Sequence, residues 1–330
     1  MTPWKRFRFR LEELGCRCLA WSIPKLPRFV CLRLGNFLAG LAYRLDGRGR
    51  AAAFSNLECA FGNRFSNSER EEIVRASYRN FARTMLDLFW ARNLTTSNFT
   101  RWIELEGFEA FSARLAEEGR GSIMMCVHQG NWEWASLATG FLGLPTTIVA
   151  ENFKNPRLTS IFSRSREISG HTIIAQENSI LRLLKIAKRR GQTGMLIDLS
   201  LPPTQAATVI EAFGMKMCVP LLHAVLADRA NAMLIPVETH PLPDGRCRVI
   251  AHPPVEIEAG QSLQQIAQRC WDAMEPIVRE RPDLYLWPYK HFRYKPNGTA
   301  QTYPSYANAS GKFEKLLKAV SQPAVVRAKA

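Results

Sequence analysis

Apolar and polar positions change rhythm near residue 100. Within SNSEREEIVRASYRNFARTMLDLFW (66–90), Ile73, Ala76, Phe81, Met85 and Leu88 recur at the intervals of one helix face. Ser68, followed three residues on by Glu71, predicts the capping box that starts this helix. An earlier helix is expected over 50–61. Beyond residue 101, short apolar runs alternate with helical segments. SIMMCVH (122–128), TTIVA (146–150), HTIIA (171–175) and TGMLIDL (193–199) read as strands buried on both faces. Helices are expected between them at 132–142, 155–168 and 178–190. AMLIPVET (232–239) and CRVIAHP (247–253) flank the turn signal PLPDG and predict a hairpin. A late helix is expected over 261–282. The reading is α/β: a mixed, partly parallel central sheet flanked by helices, with an N-terminal helical membrane-associating extension. Residues 1–100 form that extension, 101–310 the α/β domain, and 311–330 a basic tail expected to fray.

Charge adds a partner to this picture. The chain has 330 residues, 46% hydrophobic and 22% charged, enough for a buried core and unlike a disordered composition. Lys and Arg number 44 against 29 Asp and Glu, a net +15. Such a surplus suits an anionic partner: nucleic acid, a membrane face or an acidic carrier protein. Eleven of the basic residues, against three acids, fall within residues 1–50, interleaved with Trp4, Phe7, Leu11, Leu14, Trp21 and Phe29. That mixture is typical of a helix lying in a membrane interface. No stretch reaches the roughly 18 apolar residues needed to span; LGNFLAGLAY (34–43) is too short. The expectation is a peripheral or monotopic protein on the cytoplasmic face of the bacterial inner membrane, where anionic lipid attracts Lys and Arg. Pro24, Pro27 and scattered charges argue against a cleaved signal peptide. The charge supports no nucleic-acid partner by itself, since no nucleic-acid motif accompanies it. The eight Cys form no CxxC pair and are expected as buried, reduced thiols.

The densest chemistry lies in CVHQGNWEW (126–134). His128 closes a predicted strand, Gly130 loosens the turn, and Asn131 is suited to cap the next helix. Glu133 then falls in that helix's first turn, where the dipole favours a carboxylate. On one continuous helix, positions five apart point about 140° away from each other. A strand–turn–helix junction instead folds the histidine back toward the carboxylate. A neutral imidazole can take a proton from a hydroxyl near pH 7, and a carboxylate on its far nitrogen fixes the tautomer. Cys126, on the same side of the strand, is an alternative nucleophile. A purely structural His–Glu pair is another reading. A metal site is not expected, because HExxH is absent and the other histidines are scattered.

The H-x-x-x-x-E spacing of His128 and Glu133 resembles the lysophospholipid acyltransferase superfamily. The wider pattern resembles its bacterial branch, the late acyltransferases of lipid A biosynthesis. RGRAAAFSNLECAFG (48–62), EREEIVRASYRNFARTMLDLF (69–89), ENFKNPRLTSIFSRSREISG (151–170), GQTGMLIDLS (191–200) and PDLYLWPYKHFRYKP (282–296) follow in the family's order. The resemblance implies transfer of a fatty acyl chain from an acyl thioester, acyl carrier protein or acyl-CoA, to a hydroxyl of an anionic glycolipid or lysolipid, without a cofactor. It gives His128 the role of general base and Glu133 that of orienting carboxylate. Arg164 or Arg166 would hold the oxyanion or an acceptor phosphate, with Asn131 and Asp198 in support. Asp198 is suited either to orient one of those arginines or to cap the next turn. Trp132, Trp134, Phe141, Met124 and Met125 are candidates for an acyl channel and equally for plain core. Leu199, the PYKHFR that follows Trp287, and EAFG (211–214) depart from the family pattern and bear on the acceptor's identity. A lipid-binding protein with a degenerate acyltransferase fold is the alternative from another class.

Overall fold

A computed structural model describes residues 1–150, 153–175, 179–204 and 206–321. Four helices come first: α1 (Pro3–Ser22), α2 (Arg28–Leu45), α3 (Gly47–Phe61) and α4 (Asn67–Trp90). Strands and helices then alternate: β1 (Ile103–Glu106), α5 (Phe108–Glu118), β2 (Ser122–Cys126), α6 (Trp132–Phe141), β3 (Thr146–Ala150), α7 (Pro156–Glu167), β4 (Thr172–Ala175), α8 (Ser179–Lys188) and β5 (Gln192–Leu196). The chain closes with β6 (Ala207–Ala212), β7 (Met215–Pro220), α9 (Leu222–Ala230), β8 (Met233–Pro241), β9 (Cys247–Ala251), α10 (Leu263–Glu280), the short β10 (Tyr294–Lys295) and β11 (Asn308–Ala309), and α11 (Gly311–Ser321).

Seven strands form the central sheet in the order β1-β9-β8-β2-β5-β3-β4. All neighbours are parallel except β8 and β9, which pair antiparallel as the predicted hairpin. The sheet is therefore mixed and mostly parallel, flanked by helices as expected. Helices cover both faces, which is why its strands read as continuous apolar runs. Alternation along β2 sends Ile123 and Met125 into the core beneath α8, α9 and α10, and Met124 into the core beneath α5, α6 and α7.

Several local expectations shift. The capping box of α4 is Ser66 with Glu69, two residues before the predicted pair. Both pairs fit the S-x-x-E spacing; Glu71 instead meets Arg75 one turn on. The segment expected to fray from 311 is helical through 321, and α11 buries Phe313 completely. The remainder of the predicted tail, 322–330, lies outside the described residues, as do residues 151–152 of the arginine-bearing block. Strands β6 and β7 form an unanticipated hairpin, Ala212 facing Met215 across Phe213 and Gly214. Both turn residues have positive φ, 51° and 78°, the two-residue turn whose twist suits a hairpin.

The N-terminal helices are built into the body of the fold. Leu57 of α3 and Val74 and Tyr78 of α4 belong to the core under the sheet. Helix α1 lies against α7, where Asn155 donates to the Phe9 carbonyl (2.9 Å) and Arg157 meets Glu13 (2.9 Å). Its outer face stays apolar: Trp4, Phe7, Leu11, Leu14 and Trp21 are all more than half exposed. At the pitch of an α-helix these five fall within a stripe about 100° wide. Phe37, Leu41 and Leu45 add exposed apolar positions one turn apart on α2. No described helix is long and apolar enough to cross a membrane.

A buried ion pair ties α2 to α4. Arg28 grips both oxygens of Asp87 and donates to the Gly245 carbonyl at 2.7 and 2.9 Å. Its guanidinium also lies 5.0 and 4.8 Å from the Trp90 and Trp134 rings. Removing one partner strands a charge away from water, at a cost of about 3–5 kcal/mol. Asp87→Ala should lower unfolding stability by that much in denaturant titration. Exchanging both residues for apolar ones should cost less.

Candidate active site

The segment CVHQGNWEW sits at the carboxyl end of the central strands, where ligands bind in open α/β sheets. Cys126 of β2 is in register with Leu196 of β5. Two residues beyond each strand end stand His128 and Asp198, which the parallel pairing brings face to face. His128 Nδ1 lies 2.8 Å from Asp198 Oδ1, and the His128 backbone N–H donates to Oδ2 at 3.0 Å. Asp198 is completely buried. Burial alone raises its pKa, but the charge of His128 and its hydrogen bonds outweigh that. The carboxyl is held below its ordinary value. An ionised carboxylate can only accept, so Nδ1 carries the hydrogen, and Nε2 is the ring nitrogen that can hold a lone pair. Nε2 has no hydrogen-bond partner among the described residues, and the side chain keeps 14% exposure.

Glu133 does not reach His128 by hydrogen bond. Both its oxygens are taken by Arg166, at 2.6 and 2.9 Å. Helix α6 packs on α7, and the bidentate fit of guanidinium to carboxylate makes this the stronger partner. Burial works against the Arg166 charge, Glu133 restores it, and the guanidinium pKa ends above its usual value. The pairing expected between His128 and Glu133 is thus replaced by two pairs, His128–Asp198 and Glu133–Arg166. Arg164 joins neither and is exposed. Two positions apart on one helix point about 200° away from each other, so Arg164 and Arg166 cannot share a site.

The remaining residues of CVHQGNWEW hold this arrangement. Asn131 caps α6 through the Trp134 N–H (3.1 Å) and donates its amide to Asp87 (2.8 Å). Trp134 is wholly buried and bonds the Asp87 carbonyl at 3.1 Å. Trp132 instead meets the His128 ring edge-on, with centroids 5.1 Å apart. Gly130 has φ +58°, and a Cβ there would collide with Thr239 of β8. Its carbonyl accepts from Asn80 and Thr84 of α4.

The block 282–291 contributes groups that the sequence motif did not flag. The Leu286 N–H bonds the His128 carbonyl (2.9 Å). His291 lies buried against the Asp198 backbone, its Nε2 3.0 Å from the Leu286 carbonyl and its Nδ1 3.1 Å from the Tyr285 hydroxyl. A carbonyl accepts, so Nε2 donates to Leu286, and the Tyr285 hydroxyl lies within reach of both Nδ1 and the Asp198 carboxylate. Burial lowers the His291 pKa, and the ring is neutral. The available signal was its place in PDLYLWPYKHF, among three aromatic residues that the fold buries, Tyr285, Trp287 and Phe292.

A cavity of about 590 Å³ opens beside the motif, within the range of small-ligand sites. Trp132, Glu133 and Arg166 line it together with apolar residues such as Met124, Ile148 and Leu222. Met125 and Trp134, candidates for a channel, are fully buried core, and Phe141 packs in the core beneath α6. Cys126 also lines the cavity, but burial, then the charges of Asp198 and Glu133, push its thiol pKa far up. A protonated thiol is a poor nucleophile. No group of metal-ligating side chains occurs among the described residues.

The comparisons agree with one another. A lipid A biosynthesis lauroyltransferase of Escherichia coli (strain K12) is 22% identical over 298 residues, covering 90% of this chain and 95% of that protein. A lipid A biosynthesis palmitoleoyltransferase of the same strain has the same identity and coverage. A lipid A biosynthesis acyltransferase of Haemophilus influenzae is 23% identical over 283 residues, 83% of this chain and 86% of that protein. The profile of the bacterial lipid A biosynthesis acyltransferases matches residues 14–294, most of the chain. With that match running from within α1 through α2–α4, the sheet and the His128 motif, the chain is an acyltransferase and belongs to the bacterial lipid A biosynthesis acyltransferase family.

Proposed function

We propose that the chain moves a fatty acyl group from acyl carrier protein to a hydroxyl of a lipid A precursor or a closely related glycolipid, with His128 as general base. The observation that carries this reading is the His128–Asp198 pair at adjacent strand ends, its imidazole packed on Trp132, which lines the apolar cavity. The acceptor hydroxyl gives its proton to Nε2 as its oxygen attacks the thioester carbonyl. Asp198 stabilises the imidazolium that forms. Collapse of the tetrahedral intermediate expels the carrier thiolate, which takes the proton back from His128. Asp198, rather than Glu133, is the orienting carboxylate. Arg166, held by Glu133 at the cavity wall, offers fixed positive charge to the developing oxyanion or to an acceptor phosphate.

The surface fits this chemistry. A net +15 suits an acidic carrier and anionic lipid. The exposed stripe of α1 and the apolar positions of α2, bordered by Lys and Arg, suit a protein resting on the cytoplasmic leaflet of the inner membrane.

Two measurements test the proposal. Purified protein should move label from acyl carrier protein to a lipid A precursor, and cells lacking the chain should lose one acyl chain from that lipid class. Transfer to simple lysophospholipids alone, with the lipid A profile unchanged, would discard the proposed acceptor.

A further inference from the structure

The cavity beside His128 reaches both faces of the central sheet. Side chains alternate across a strand, and both sets appear in its wall. Met124, Cys126 and Ile148 face α6, whereas Met195 and Val149 face the side of α8 and α9. Ala135 and Thr139 of α6 close the first arm; Ile180 of α8 and Leu222 and Val225 of α9 close the second. Leu199 and Leu201, just past the end of β5, also line the cavity. Three ionisable residues besides Cys126 line it: Glu133 and Arg166, which pair with each other, and His223, its pKa lowered by burial to about 4. Both arms are therefore fitted to hydrocarbon. Gly194 of β5 keeps the α6 arm open. A Cβ there would point toward Ile148 and Thr146, at 3.4 and 3.6 Å, so any longer side chain would enter that arm.

One aliphatic chain needs only one face of a sheet. We infer that the cavity seats two aliphatic chains at once, one on each face of the sheet, their head ends converging at the strand ends beside His128. This rests on the function proposed above: one chain is the acyl group in transit, and the other is already attached to the acceptor. Neither arm requires the other to be filled, and each can be blocked alone.

Equilibrium dialysis of labelled dodecanoate against the full chain, kept in a sterol-based detergent without alkyl chains, reads the stoichiometry. Two dodecanoates per chain are expected for the wild type. One is expected for Gly194→Leu, one for Val225→Trp, and none for the double variant. A wild-type value of one, or loss of all binding in either single variant, overturns the inference. So does retention of two in both. Thermal unfolding checks that the variants fold. Gly194→Ala, whose Cβ fits at ordinary contact distance, gives a second reading of the α6 arm: dodecanoate should weaken relative to octanoate, and an equal effect on both contradicts the assignment. Binding needs no turnover. Two bound chains with no acyl transfer would condemn the proposed reaction and leave this inference standing.

Discussion

His128→Ala should reduce acyl transfer about 10²–10⁴-fold, the range for loss of a general base. On the mechanism proposed, the alanine removes the lone pair that receives the acceptor's proton. It leaves the cavity walls, the Glu133–Arg166 pair and the Asn131 cap in place. The loss should therefore appear in kcat, with substrate KM values within a few-fold of wild type. Full activity would remove His128 from the mechanism. A loss confined to KM would make it a binding residue. The ring also packs edge-on against Trp132, so the variant's unfolding midpoint should be measured alongside its rate.

Asp198→Asn should lower kcat by a similar factor, up to about 10⁴-fold. The amide is nearly isosteric but cannot hold Nδ1–H and stabilise an imidazolium as a carboxylate does. Removing the negative charge also makes the imidazolium less favourable, so the acid limb of the rate profile should move to lower pH. Glu133→Gln is the comparison. It leaves His128–Asp198 intact and strips the partner from a largely buried Arg166. Its effect should fall on substrate binding and stability, with the acid limb unmoved. If Glu133→Gln shifts that limb and Asp198→Asn does not, Glu133 is the orienting residue after all. The carboxylate pKa of Asp198 is lowered in the folded chain. Its contribution to stability is present above the usual aspartate range and lost as acid protonates it, so Asp198→Asn should converge on wild-type stability at low pH.

The apolar pattern was enough for β2, β3, β4 and β5 and the helices between them, because a sheet covered on both faces leaves uninterrupted runs. It was also enough for the β8–β9 hairpin, which Pro and Gly announced. It missed β6–β7, whose turn uses Phe213 in an uncommon conformation instead of a familiar turn pair. The site was half legible. His128, Asn131 and Glu133 were found because nine adjacent residues carry them. Their pairing was not, since partnership depends on which strand lies beside β2. Both VH at 127–128 and ID at 197–198 were read as strand ends. Knowing that β5 is the parallel neighbour of β2, in register, is what joins them. Nothing local to either segment encodes that adjacency. The same holds for Arg166, whose choice of Glu133 follows from α7 lying on α6.

The strand register also has a consequence for how the chain is made. His128 and Asp198 are 70 positions apart in sequence. The remaining neighbour of β2, the strand β8, is synthesised later still. A ribosome adding about 5–20 residues per second therefore exposes the histidine for several seconds before its carboxylate exists. Pairing of distant strands is then among the slower steps of folding. Until β5 docks on β2, the nascent chain holds an unoriented imidazole and no enclosed cavity. On the mechanism proposed, the base, its carboxylate and the cavity come together only when β5 has joined β2.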